Sequence, residues 1–119
     1  MDQILDNVVK MGMNAVILQV RPSADALYPS SIFPWSKYVT GNQNTAPADG
    51  FDPLQYWVTK AHEKGVELHA WINPYRITKG QDAEYAALAA NSPAKLHPQW
   101  VVKYTDGNYY FNPVSYTHL

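Results

Sequence analysis

The sequence contains no cysteine, which removes any disulfide framework and any thiolate metal site, and leaves the redox compartment open. Its four histidines, His62, His69, His97 and His118, show neither H-x-x-x-H nor H-E-x-x-H spacing, so no metal centre is expected and no other cofactor is called for. Charge of one sign is also missing. Nine Lys and Arg stand against ten Asp and Glu, the basic residues are scattered, and the net charge of −1 supplies no footprint for nucleic acid. Apolar runs fall far short of a membrane span, and the opening M-D-Q-I-L-D-N has no basic segment followed by an apolar one, so neither a span nor a signal peptide is expected in this chain. What is present, 46% hydrophobic and 16% charged residues over 119 positions, is the composition of one small globular domain. Nine Tyr and four Trp fit a surface that stacks on rings, although most aromatics in any domain are core.

The chain is organised around residues 14–28, N-A-V-I-L-Q-V-R-P-S-A-D-A-L-Y. Ala15 to Val20 is apolar except for Gln19, as in a strand buried on both faces of a parallel sheet. Alternation puts Val16, Leu18 and Val20 on one face, and Ala15, Ile17, Gln19 and Arg21 on the other. Pro22 removes a ladder donor and ends the strand. Arg21, Ser23, Asp25 and Tyr28 then fall on the loop where α/β proteins bind ligands. A second stretch, V-E-L-H-A-W-I-N-P-Y-R from Val66 to Arg76, repeats the design. Leu68, Ala70 and Ile72 form an apolar face, Glu67, His69, Trp71 and Asn73 the opposite one, and Pro74 stops the strand before Tyr75 and Arg76. Two strands built alike imply one shared cleft.

Around these strands the chain alternates as in the (β/α) class. Asp2 is placed to cap a helix with Ile4, Leu5, Val8 and Met11 at helical spacing, which Gly12 ends. Residues 29–50 form a long connection rich in Pro, Ser, Asn and Gly. It carries Phe33, Trp35 and Tyr38 either as anchors or as ligand contacts. Asp52, Pro53 and Gln55 start a second helix with a buried stripe of Leu54, Trp57, Val58 and Ala61, closed by Gly65, and with His62 and Glu63 toward solvent. Asp82 to Ala90 reads as a short alanine-rich helix that Ser92-Pro93 terminates. Trp100–Tyr104 and Tyr109–Phe111 flank a two-residue turn at Asp106-Gly107, predicting a small hairpin overhanging the cleft.

The motifs L-Q-V-R-P-S-A-D-A-L-Y-P-S, G-F-D-P-L, H-A-W-I-N-P-Y-R and D-G-N-Y-Y-F-N-P, in that order, resemble the glycosyl hydrolase-like 10 family of bacterial cell-envelope proteins. The resemblance covers about residues 2–113. It implies an α/β fold that is part of a TIM (β/α)8 barrel, running from about the first helix to the third strand, with an excursion that carries the hairpin. It further implies a glycosidase acting on peptidoglycan glycan strands stripped of peptide, in the cell envelope or secreted. By that pattern, residues 1–113 are an incomplete barrel domain. The first strand is expected before Met1, and the fourth, with the family's D-D-Y motif and its candidate catalytic carboxylates, beyond Pro113. The V-S-Y-T-H-L end departs from the family, so residues 114–119 are expected to be a non-native tail and His118 to have no role.

Glycoside hydrolysis usually needs two carboxyl groups about 5 to 9.5 Å apart. Among the acids here only Asp25 falls at the C-terminal mouth of a strand, where it can equally pair with Arg21 or cap the local turn. The catalytic residues are therefore unassigned. The rest of the mouth suits sugar binding. Gln19, Arg21, His69, Asn73 and Arg76 offer directional donors and acceptors, and Trp71 and Tyr75 offer flat faces for pyranose rings, with Asp25 and Tyr28 beside them. His69 also fits a satisfied interior histidine, and Trp71 fits a core residue. Two readings follow: a piece of a glycoside hydrolase, or a non-catalytic carbohydrate-binding module that needs no carboxylate pair.

Overall fold

The computed structural model describes residues 2–80 and 82–114; residues 115–119 of the expected tail lie outside them. The chain opens on helix α1, Asp2–Lys10. Gly12 adopts φ +79°, and the N–H groups of Gly12 and Met13 donate to the carbonyls of Val9 and Val8, the paired bonds of a Schellman end. Leu5 and Val8 are buried, but Ile4 and Met11 are exposed, so the buried seam is narrower than the spacing suggested. One i, i+3 pair suffices to meet the neighbouring helix.

Strand β1, Ala15–Arg21, pairs in parallel with β2, Glu67–Ile72, from Ala15 opposite Glu67 to Gln19 opposite Trp71. A register shift then sets Arg21 opposite Ile72. Helix α3, Pro53–Glu63, precedes β2, with the Asp52 carboxylate accepting from Gln55 N–H and Pro53 at the first helical position. Gly65, at φ +69°, donates to His62 O while Val66 donates to Ala61 O, a second Schellman end. Its hydrophobic partners, Val66 and Ala61, join Leu5 and Val8 in the first core, against which Val16, Trp57 and Leu68 pack. The Asp6–Lys64 ion pair and the Tyr56 hydroxyl bound to Asp2 join α1 to α3 at the surface.

These helices cover one face of the sheet only. Ile17, on the other face, is 74% exposed, which corrects the expectation of a strand buried on both sides. Val16 and Leu68 meet the helices, whereas Ile17, His69 and Trp71 face away from them.

The long connection after β1 contains a one-turn helix, α2, Lys37–Thr40, whose Ser36 side chain accepts from Tyr38 N–H, and a 3-10 turn at Ala48–Gly50. Beyond β2, helix α4 spans only Asp82–Ala86, and Ser92-Pro93 begins a further short helix, α5, Pro93–Leu96. The expected helix over 82–90 is thus cut short. Pro93 sits at the first turn of α5, where its missing N–H costs nothing, so the dipeptide starts a helix rather than ending one.

The hairpin forms as expected from strands β3, Val101–Lys103, and β4, Tyr109–Phe111. Its turn is longer than predicted. Gly107 N–H donates to Tyr104 O and Tyr104 N–H to Asn108 O, with Gly107 at φ +86°, the three-residue loop of a turn followed by a left-handed glycine. The hairpin also does not overhang the cleft. Phe111 N–H donates to Tyr75 O and Ile77 N–H to Tyr109 O, docking β4 along the chain after β2. Phe111 enters a second core with Ala24, Ile77 and Ala94, bordered by Phe33 and Trp100. The result is a mixed α/β domain with two small sheets.

Candidate functional site

Past β1 the chain folds back on itself: Leu27 N–H donates to Val20 O, and Ala26 is held on both sides by Pro34 O and Ser36 N–H. This pins Asp25 between buried Ala24 and Ala26, itself only 5% exposed. Its carboxyl lines a cavity of about 550 Å³, walled by the end of β1, α2 with the loop after it, residues 76–79 and α4. The volume lies within the ~300–1,000 Å³ usual for small-molecule sites. Burial pushes Asp25 above the ordinary 3.8; the Ser36 hydroxyl, the Ser23 backbone, the Gln43 amide and the Lys37 charge pull the other way and are outweighed. Asp25 Oδ1 accepts no hydrogen bond among the described residues.

Of the nine candidates from the sequence, Gln19, Asp25 and Arg76 come together on this cavity. Arg21 and Asn73 instead lock the two strand ends. The Arg21 guanidinium lies 3.8 Å from the centroid of the Phe33 ring and donates to Pro74 O at 3.3 Å. Asn73 donates through Nδ2 to Pro22 O at 3.0 Å, and its backbone N–H donates to Arg21 O. The expected pairing of Asp25 with Arg21 gives way to this arrangement, because the turn at Pro22 carries Asp25 toward Ser36 and Gln43 while Arg21 stacks on Phe33. His69 is exposed within this chain, with Nε2 3.1 Å from the Glu67 carboxylate. Trp71 is 52% exposed and donates to Asn73 Oδ1, which excludes a core role within this chain. Tyr75 is exposed and Tyr28 half-buried, both outside the cavity lining.

Sequence reading missed the far wall: Lys37 and Gln43 from the long connection, and Lys79 and Glu84 from the segment after β2. Gln43 Oε1 accepts from Ala89 N–H at 2.6 Å, and Asn91 donates to Asn44, so the two excursions are stitched together across the mouth. Glu84 accepts from the N–H groups of Lys79 and Gly80 and lies 3.9 Å from Lys37 Nζ. Only the length and composition of residues 29–50 signalled that wall. Among the described residues no His, Cys, Asp or Glu cluster fits a metal. No helix there is long and apolar enough to cross a membrane.

The sequence pattern of the family described as Glycosyl hydrolase-like 10 matches residues 1–116. The chain belongs to this family. It is 48% identical over 108 residues to Glycosyl hydrolase YngK of Bacillus subtilis (strain 168), covering 91% of this chain and 21% of that protein. It is 38% identical over 104 residues to Glycosyl hydrolase DigH of Escherichia coli (strain K12), covering 82% of this chain and 23% of that protein. The chain therefore spans about a fifth of the length of these curated relatives.

Proposed function

We propose that residues 1–113 form part of the (β/α)8 barrel of a bacterial cell-envelope or secreted glycoside hydrolase acting on peptide-free peptidoglycan strands. In this reading β1 and β2 are the second and third barrel strands. Gln19, Asp25 and Arg76 bind glycan directly, while Arg21 and Asn73 hold the strand ends in place. One observation carries the proposal: a parallel β1–β2 pair, covered by helices on one face, whose C-terminal ends lead into a cavity that Gln19, Asp25, Arg76 and Glu84 help to line. Barrel enzymes place their chemistry at that end of the strands. His69 and Trp71, exposed on the uncovered face, would then look into the barrel interior, with Trp71 and Tyr75 as stacking surfaces for sugar rings. The catalytic carboxylates are assigned to the family's D-D-Y motif on the fourth strand.

A non-catalytic carbohydrate-binding role has one observation in its favour. The cavity offers two carboxylates, Asp25 and Glu84, but Glu84 is occupied by the N–H groups of Lys79 and Gly80. An acid held in this way is poorly placed to exchange protons. Incubating the full-length protein with peptide-free glycan strands and following strand length separates the two readings. Shortened strands are expected; strands bound but left intact would favour the binding module, and neither binding nor cleavage would overturn both.

A further inference from the structure

We propose that Asn73 is a positioning residue for glycan binding: its side-chain amide holds the indole of Trp71 in one orientation at the mouth of β2 and locks that orientation to the end of β1. The inference rests on the stacking role proposed for Trp71 above and names the group that sets the ring. Three hydrogen bonds carry it. Trp71 Nε1 donates to Asn73 Oδ1 at 3.1 Å, Asn73 Nδ2 donates to Pro22 O at 3.0 Å, and the Asn73 backbone N–H donates to Arg21 O at 2.9 Å. The indole N–H can only donate and the Pro22 carbonyl can only accept, so a single orientation of the amide satisfies both. Asparagine fits because one short side chain must accept on one side and donate on the other. An ionised aspartate lacks the donor, and leucine, of similar size, lacks both groups.

The ring that Asn73 holds is one that this chain leaves open. Trp71 is 52% exposed, whereas Asn73 is half-buried and Pro22 buried, so the hydrogen bonds run from an open ring to a fixed support. Gln19 stands opposite Trp71 in the parallel register and lines the cavity, which sets the indole beside the strand-end side of that cavity. Pyranose stacking is strongest when the ring plane is set before the sugar arrives, because a side chain that must be ordered on binding loses part of the contact energy. Pro22 also opens the loop that carries Asp25, so one amide fixes the ring relative to that loop.

The affinity of the full-length protein for peptide-free glycan strands is read as KM where strands are cleaved and as Kd where they are bound intact, with a denaturant melt of each variant alongside. Asn73→Ala is expected to weaken affinity about three- to tenfold, the scale of ordering one side chain, and, where strands are cleaved, to leave kcat within about twofold. W71F, which keeps a ring and removes the donor, should also weaken affinity. N73A in the W71F background should then add nothing to that loss, while still lowering stability through the missing bond to Pro22. N73D keeps an acceptor for the indole and gives up the Pro22 bond, so it should lose stability yet retain most of the affinity. A purely structural Asn73 would instead weaken affinity equally in both backgrounds. That result, unchanged affinity in N73A or W71F, or a loss in N73D as large as in N73A, would overturn the inference. Should N73A fail to fold, N73D measured against W71F decides, since a loss in N73D as large as in W71F has the same meaning. Cleavage that N73A leaves untouched keeps the hydrolase proposal and sinks the positioning role. Binding without cleavage that N73A weakens does the reverse, and neither binding nor cleavage overturns both.

Discussion

Arg21 shows how position along a strand misleads about role. Its alternation with Gln19 placed it on the polar face, yet its guanidinium rests on Phe33 and reaches Pro74 O, joining three chain segments. Arg21→Ala is therefore expected to lower stability by about 1 kcal/mol, the scale of a partly exposed cation–ring contact. Lysine should recover little of it, because a point charge cannot stack as a planar group does. Denaturant melts of the three proteins check this. Asp25 makes an opposite prediction. Its pKa is raised by burial, so the folded state holds the proton more tightly than the unfolded state does; the associated stability is complete below the ordinary 3.8 and is lost as pH rises through the folded value. At neutral pH the buried charge is a burden, and Asp25→Asn should raise the melting temperature. The advantage should shrink as pH falls below 3.8; a constant difference across pH would show that Asp25 carries no such penalty.

Helices α1 and α3 end alike because each has glycine where a left-handed residue is required, Gly12 at φ +79° and Gly65 at φ +69°. A Cβ at Gly65 would meet nothing within 4 Å, so Gly65→Ala isolates the backbone strain and should cost about 1–2 kcal/mol. At the other end of α3, Asp52→Ala removes the acceptor for Gln55 N–H and should cost about 1 kcal/mol. The two sites lie at opposite ends of the helix and share no partner, so the double variant should show the sum. Thermal or denaturant unfolding of the singles and the double measures this, and a much smaller combined loss would mean that α3 does not limit stability. The shorter helices behave differently. α2, α4 and α5 are each about one turn, too short to persist by propensity, and contacts such as Gln43 to Ala89 N–H and Lys103 to Asp82 hold that region together.

At the scale of the whole molecule, a two-stranded parallel sheet with one face covered is a poor independent unit. Parallel sheets are normally covered on both faces, and here Ile17 and Trp71 stand exposed. Residues 2–114 alone are expected to unfold with a broad, weakly cooperative transition and to show no glycosidase turnover. Trp71→Ala in that fragment should change stability by no more than about 0.5 kcal/mol, as for other surface positions. In the full-length protein the same substitution should cost about 3–5 kcal/mol if the barrel packs the indole inside. Equal small effects in both settings would rule out a packed indole and favour Trp71 as a stacking surface, which a raised KM in the full-length protein would register.

The sequence by itself determined the local elements whose cause is local. Gly12 and Gly65 marked two helix ends, Asp52-Pro53 marked a start, and the alternation of Val16 with Ile17 and of Leu68 with His69 assigned the sheet faces. The family resemblance was also legible, in motifs spread along the chain, and residues 1–116 match that family. Tertiary structure alone decided which polar residues meet. Gln19, Asp25 and Arg76 share a cavity with Lys37 and Glu84 because the loop after β1 folds back and is tied to residues 89–91, contacts between residues some 46 positions apart. Spacing carries no signal for such pairings. The exposure of Trp71 was likewise beyond the sequence, since an apolar ring fits a core and a stacking surface equally well until the neighbouring elements either cover it or leave it open.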